Sequence, residues 1–223
     1  MLIIQAGTPD FIPMMEETTA RCEEWGYRYI RFGLDKTADL DGDMPPCTFK
    51  PGIIARGLKE AGPGDLCLWL DADAIPVQPL DELTYGLYDV VVTLREPQEI
   101  GRTNPITNYL NAGVIGIRCN DAGRAFVARW QQTTPACGND QLALNRLVGG
   151  DWTDHYWRQA YNRDFPTALG AIVRILPAIR WNCWHFPPPV EADVKILHFK
   201  RGFRSLNGPD WWRRVLEAQN NGH

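Results

Sequence analysis

Two carboxylates stand two residues apart where an apolar run ends: Leu66-Cys67-Leu68-Trp69-Leu70 leads into Asp71-Ala72-Asp73. A short apolar run without alternation reads as a strand covered on both faces. At a strand terminus the chain can turn, so both acids can converge on one point. Two carboxylates held that close repel each other unless something cationic neutralises them. Hard oxygen ligands suit Mg2+ or Mn2+, ions that often keep positions open for substrate phosphates. The chemistry this suggests is a divalent metal clamping a nucleotide diphosphate. The alternative is a solvated turn in which an Asp caps the next segment, because Asp-x-Asp is a common tripeptide.

Other residues could serve the same chemistry. His198 follows the apolar pair Ile196-Leu197 and is followed by Lys200, Arg201 and Arg204, a run of cations. Asn111-Ala112-Gly113 stands before Val114-Ile115-Gly116-Ile117. Its small residues allow close approach of backbone to a ligand, and an Asn offers both donor and acceptor to sugar hydroxyls; the alternative is a turn ahead of a buried strand. Asp140-Gln141 opens a predicted helix, where an acid in the first turn is physically sufficient without any catalytic role. Gln5-Ala6-Gly7-Thr8 lies at the end of the first predicted strand, where a base and ribose could sit. Lys50 and Arg56 could reach a diphosphate or face water, and for Arg56 the surface is the expectation. Trp181-Asn182-Cys183-Trp184-His185 reads as part of an acceptor wall or as a satellite core, and His155 and Trp157 read as core.

The elements that must position these residues alternate through the first half of the chain. Strands are expected over 1–6, 27–34, 66–70, 89–94 and 114–117, and helices over 12–25 and 51–61, with Pro51 in the first turn of the latter. An Asp-, Gly- and Pro-rich loop spans 35–46. Helices follow at about 122–132 and 140–147. The last third reads as irregular and rich in Trp and Pro, with a late strand at Ile196-Leu197 and a final helix over 211–219. This is an α/β domain with a mostly parallel central sheet, flanking helices and an irregular C-terminal region. In such sheets ligands bind beyond the carboxyl ends of the strands.

Composition narrows the function classes. The chain has 223 residues, 44% of them hydrophobic and 22% charged, which excludes a disordered or fibrous chain. The net charge of −4 disfavours nucleic acid as the main ligand. Nine Trp are more than usual; buried aromatics or a sugar-binding face would both account for them. No run approaches the ~18–20 apolar residues of a membrane span, and MLIIQAGTPD does not read as a signal peptide. Six dispersed cysteines without a C-x-x-C pair read as reduced thiols rather than a zinc site. These features together place the protein in a cytoplasm.

The ordered set of Asp71-Ala72-Asp73, Asn111-Ala112-Gly113-Val114, Asp140-Gln141 with Leu144-Asn145, and His198-Phe199-x-x-Gly202 resembles a GT-A glycosyltransferase. Within that fold it is most similar to the retaining family 8 type, the group of glycogenin and the bacterial lipopolysaccharide galactosyltransferases. The resemblance covers about residues 1–204. It implies a single GT-A-like domain over 1–223, with a nucleotide-binding half over about 1–120, an acceptor-side half over about 121–204 and a C-terminal helix over 205–223. It implies that Asp73 and His198 bind Mn2+ (or Mg2+) and that Asp71 bridges metal and ribose. Asp140 and Gln141 would face the donor sugar near its anomeric carbon, beside Asn111. Gln5, Ala6, Gly7, Thr8, Lys50, Ala72, Ala112, Gly113, Lys200 and Gly202 would line the donor. The match departs from the usual pattern at its end: one extra residue separates His198 from Gly202, and Lys200 or Arg204 would take the place of the family's phosphate-binding Lys.

The expected activity is transfer of a sugar from a nucleotide diphosphate donor, UDP by resemblance, to an acceptor hydroxyl with retention. An inverting enzyme would need a base, for which Asp151 and Asp154 are candidates. Glycans, glycolipids or small glycosides are the expected acceptors; a protein or a hydroxymethylated DNA base stays open. Trp211-Trp212-Arg213-Arg214 reads as a packed amphipathic helix or a membrane-surface contact. Two rivals remain. A sugar-phosphate nucleotidylyltransferase would place a Gly-rich basic loop after the first strand, which Gln5-Ala6-Gly7-Thr8-Pro9 is not. A non-catalytic nucleotide or carbohydrate binder could keep the same fold. A phosphatase of the haloacid dehalogenase type would carry its Asp-x-Asp after the first strand rather than a later one.

Overall fold

The computed structural model describes residues 1–34, 49–96, 109–149, 161–186, 188, 193–200 and 210–221. Strand β1 (Leu2–Gly7) is buried along its whole length. Helix α1 (Ile12–Glu24) follows one 3-10 turn, and β2 (Arg28–Gly33) returns parallel to β1 with Leu2 opposite Arg28. Helix α2 (Lys50–Glu60) carries Pro51 in its first turn, where no N–H is needed. It lies close against β1: a Cβ on Gly57 would sit 2.0 Å from Ile4 Cδ1. Strand β3 (Leu66–Leu70) is fully buried and pairs parallel with β1.

The main sheet has seven strands in the order β2-β1-β3-β6-β5-β8-β7, formed with β5 (Val90–Leu94), β6 (Leu110–Arg118), β7 (Asp164–Pro166) and β8 (Ile172–Pro177). Strands β1, β2, β3, β5 and β8 run one way; β6, between β3 and β5, and β7, at the edge, run the other. The sheet is therefore mostly parallel in direction but not in pairing, because β6 is antiparallel to both neighbours. Helices α3 (Asp121–Cys137) and α4 (Asp140–Val148) follow β6. Asn120 and Asn139 cap them, accepting the Gly123 and Leu142 N–H groups. Gly138, with φ 63°, makes the left-handed break between them.

Period-2 alternation divides the core between the two sheet faces. Ile4, Trp69, Val92 and Ile115 pack with Phe126, Trp130 and Leu144 of α3 and α4. Ile3, Leu68, Leu70 and Val91 pack with Leu83, Tyr88 and Trp181 on the other face. A small second sheet pairs β4 (Ala74–Pro76) antiparallel with β9 (Ile196–His198). Around it Met14, Ile75, Phe199, Trp212 and Leu216 form a third cluster, which seats helix α6 (Trp211–Asn221).

Three expectations need correction. Strand β6 starts four residues earlier than Val114, so Asn111-Ala112-Gly113 lies inside a strand rather than in a turn before one. The last third contains β7, β8 and the one-turn helix α5 (Ala178–Trp181) where irregular chain was expected. Arg174 breaks the apolar run of β8; it is neutralised across the pair by Asp164, at 2.6 and 2.8 Å, and lies over the Tyr88 ring. The pair β4–β9 is also absent from the expected elements, although a late strand at Ile196-Leu197 is among them. The whole of the expected loop over 35–46, and Asp151, Asp154, His155, Trp157, Arg201, Gly202 and Arg204, lie outside the described residues.

Candidate functional site

The carboxyl end of β3 runs directly into the Asp71-Ala72-Asp73 turn. Three distant segments hold that turn by its backbone. The Asp71 N–H donates to the Gly113 carbonyl of β6 (2.8 Å), and the Phe199 N–H donates to the Asp73 carbonyl (2.7 Å). Gln5 Nε2 donates to the carbonyls of Asp71 (3.0 Å) and Ala74 (2.9 Å). Gln5 is wholly buried and its Oε1 accepts the Tyr29 hydroxyl. Its side chain thus braces the turn from beneath. Gly7 is needed for close approach: a Cβ there would lie 2.8 Å from the Ala72 Cβ. Ala6, Gly7 and Thr8 accordingly run beside the acidic turn.

The β4–β9 pairing brings His198 to the same point, opposite Ala74. His198 is 5% exposed. Its Nε2 lies 3.1 Å from Asp73 Oδ1 and 3.9 Å from Asp71 Oδ2. Among the described residues, Asp71, Asp73 and His198 form a group whose ligand atoms all lie within 4.8 Å of one another. Two hard carboxylates and an imidazole are a donor set for a divalent cation. Burial lowers the His198 pKa, but the two carboxylates overcome this and the net effect is a rise. His198 packs on the backbone of β6, where a Cβ on Gly113 would lie 2.6 Å from its Cε1.

Lys50, at the start of α2, reaches across to Asp71 Oδ1 (2.7 Å) and to the Ala112 carbonyl (3.0 Å). Burial would lower its pKa, yet Asp71, Asp140 and Asp73 raise it overall, so it stays an ammonium. Trp69 Nε1 donates to the same Oδ1 (2.9 Å). With Oδ1 fixed by two donors, Oδ2 is the oxygen turned toward His198.

Opposite Lys50 stands Asp140, in the first turn of α4 and 3% exposed. Burial pushes its carboxyl up to about 6; Lys50 opposes the rise and Asp71 adds to it. Its Oδ2 is buried with no hydrogen-bond partner. Gln141 Oε1 accepts the Ala112 N–H (3.0 Å), and Asn145 accepts from the Leu110 N–H and donates to the Leu110 carbonyl. These contacts hold α4 against a bulge in β6, where the register with β5 jumps from Val92↔Ile115 to Thr93↔Asn111. Asn111 Oδ1 accepts the Gly113 N–H inside that bulge (2.6 Å).

No protein-family model matches the chain, and no curated protein matches it in sequence. Solved structures do match. One is a glycosyltransferase involved in the glycosylation of the major capsid of PBCV-1, at TM-score 0.59 and 15% identity over 93% of this chain and 98% of that one. A second is the glycosyltransferase GlyE of Streptococcus pneumoniae TIGR4, at 0.57 and 16% over 99% of this chain and 63% of that one. A third is the galactosyltransferase LgtC, solved with donor and acceptor sugar analogs, at 0.51 and 15% over 98% and 96%. The fold is GT-A-like. That agrees with the fold the ordered motifs implied.

On this GT-A-like fold the residues singled out from sequence largely converge. Asp71, Ala72, Asp73, His198, Lys50, Ala112, Gly113, Asp140 and Gln141 surround one point at the sheet's carboxyl edge. Lys200 lies near it: burial and neighbouring Arg95 push its ammonium down to about 8, against the pull of Asp73 and Asp71. Its Nζ sits 5.6 Å from the centre of the Trp184 ring. Arg56 is exposed and stacks on Phe32, as expected of a surface residue. Trp181, Asn182 and Cys183 are buried, while Trp184 and His185 are half-buried and stacked on each other. Sequence reasoning passed over Trp69, Thr93, Arg95 and the polar role of Asn182. Only Trp69 carried a signal, since it shares a strand face with Asp71 two residues on.

Proposed function

We propose that the protein is a metal-dependent glycosyltransferase that moves a sugar from a nucleotide diphosphate sugar, UDP being the first candidate, to an acceptor hydroxyl with retention. The observation that carries this is the convergence of Asp71, Asp73 and His198 at the carboxyl edge of a GT-A-like sheet, beside a half-buried Lys and a buried Asp. Asp73 and His198 would hold Mn2+ or Mg2+, with Asp71 between metal and ribose. A divalent ion bound there would neutralise charge on the donor diphosphate. In transfer, the bond from the anomeric carbon to the diphosphate oxygen breaks and its electron pair leaves with the diphosphate. The acceptor oxygen forms the new bond, and its proton passes to an oxygen of the departing diphosphate. Lys50 and Lys200 would stabilise the leaving charge, and preorganised cations do this at little reorganisation cost. The Asp140 carboxylate and the Gln141 amide would face the anomeric carbon, where positive charge develops. Residues 6–8 and the Ala112-Gly113 backbone would line the donor.

The neighbours favour a saccharide acceptor, since LgtC was solved with donor and acceptor sugar analogs. The nucleotidylyltransferase alternative is poorly served by β1, which runs through Thr8 into a 3-10 turn at Pro9 without a Gly-rich basic loop. No helix among the described residues is long and apolar enough to cross a membrane.

The test needs no acceptor. Thermal unfolding is followed with UDP, GDP, CDP or ADP, each with Mn2+ or EDTA. A ligand at ~100 times its Kd stabilises the native state by about 2.7 kcal/mol. The expected result is stabilisation by one nucleotide with Mn2+ only, lost in Asp73→Asn. Stabilisation that survives EDTA, or none at all, overturns the metal–diphosphate reading. Binding without hydrolysis or transfer of any sugar nucleotide would leave a non-catalytic binder.

A further inference from the structure

Behind His198, away from the two carboxylates, lies a wholly buried polar pair that no catalytic reading uses. His198 Nδ1 is 2.6 Å from Asn182 Oδ1, and Asn182 Nδ2 donates to Thr93 Oγ1 at 2.9 Å. Asn182 and Thr93 are both 0% exposed. Buried polar groups of this kind are costly unless fully partnered, and here three elements contribute one residue each. Thr93 sits at the register jump of β5, Asn182 follows helix α5, and His198 ends β9. The spacing between Asn182 and His198 is fixed by backbone. The Cys183 N–H donates to the Ile196 carbonyl (2.9 Å), and the His198 N–H donates to the Cys183 carbonyl (2.6 Å).

We infer that Asn182, oriented by Thr93, is a positioning residue that sets the tautomer of His198 so that Nε2 presents its lone pair to a metal ion. A neutral imidazole has one N–H and one lone pair. With the amide nitrogen of Asn182 engaged by Thr93, its carbonyl oxygen faces Nδ1 and accepts the proton there. Nε2 is then the ligand atom, and it is the atom that faces Asp73 and Asp71. Outer-shell acceptors of this sort fix ring orientation and raise ligand basicity, and losing one typically costs ~10–100-fold in metal affinity. Asn182 touches no reacting atom. The inference rests on the metal-site reading above.

The test is Mn2+ affinity, read by electron paramagnetic resonance of the free ion, together with thermal unfolding in EDTA. Asn182→Leu keeps the branched outline and removes the acceptor; its Mn2+ Kd is expected to rise ~10–100-fold. Asn182→Asp restores an acceptor, which the Thr93 hydroxyl can meet by donating, and is expected to bind Mn2+ at least as tightly as wild type. That rescue separates a tautomer-setting role from mere packing. A second measurement needs no variant: nitrogen-15 correlation spectra of the His198 ring in wild-type protein loaded with diamagnetic Zn2+ are expected to show the proton on Nδ1. Wild-type Mn2+ affinity in Asn182→Leu, equal weakening in Asn182→Asp, or a proton on Nε2 in the loaded protein overturns this inference and leaves the metal site standing. Failure of the wild-type protein to bind Mn2+ overturns both.

Discussion

Asp140→Asn is expected to stabilise the metal-free protein at neutral pH while abolishing transfer. Asp140 is buried, has an oxygen without a partner, and has its carboxyl pushed from 3.8 to about 6. In the unfolded chain the group titrates near its ordinary value. Between these two values the native state keeps a proton that the unfolded state has lost. Stability therefore falls as pH rises from about 4 to about 6 and stays lower above that window. At ~1.36 kcal/mol per pKa unit, the cost of ionising Asp140 in place is about 3 kcal/mol. An asparagine has nearly the same shape and never ionises, so the variant escapes this cost. The assay is urea unfolding of both proteins in EDTA at pH 4.5, 5.5, 6.5 and 7.5. The variant's advantage should grow by about 2 kcal/mol from the lowest pH to the highest and reach about 1–3 kcal/mol there, the lower figure allowing for the desolvated amide. A difference that does not grow with pH, or a variant less stable at pH 7.5, refutes the reasoning.

Two further substitutions probe the same cluster from other sides. Gly113→Ala places a Cβ 2.6 Å from His198 Cε1; since the ring is buried and cannot retreat freely, Mn2+ affinity should fall at least ~10-fold, as for a disturbed outer shell, measured by isothermal titration. Lys50→Met removes the ammonium 2.7 Å from Asp71. Leaving a partly buried carboxylate uncompensated should cost about 3 kcal/mol in EDTA, read by chemical unfolding, and added Mn2+ should restore more stability to the variant than it adds to wild type.

Much of the site is legible in the sequence because its residues sit at element ends. Leu66–Leu70 announced a buried strand by its unbroken apolar run, so the acids after it had to lie at a sheet edge. His198 was placed by the apolar pair before it. What could not be read were features made by pairing across the chain. Nothing local says that β6 inserts antiparallel between β3 and β5, or that its register jumps at Thr93. Hence Asn111-Ala112-Gly113 looked like a turn, when it is a bulge held by Gln141 and Asn145. Nor does anything local say that Gln5 spans from Tyr29 to the backbone of the acidic turn. Strand β8 was hidden by Arg174, whose charge is met by Asp164 on the neighbouring strand.

The charge balance of the cluster argues for what it is built to receive. Asp71, Asp73 and Asp140 are gathered within reach of Lys50, whose ammonium contacts Asp71 directly. His198 is drawn toward protonation by the two carboxylates it faces, and Asp140 is driven away from ionisation by burial. The His198 shift is what a site does when negative charge exceeds the positive charge fixed beside it, and the Asp140 shift is what burial does to a carboxyl. A chain selected for stability alone would replace such a cluster with apolar residues of similar volume. Keeping it, at the edge of a sheet whose other carboxyl ends point the same way, is the expected cost of a site that binds a cation together with an anionic ligand. The sign of that imbalance is open to direct reading: Mn2+ should raise the stability of the wild-type protein more at pH 7.5 than at pH 5, because protons and the metal compete for the same carboxylates and imidazole.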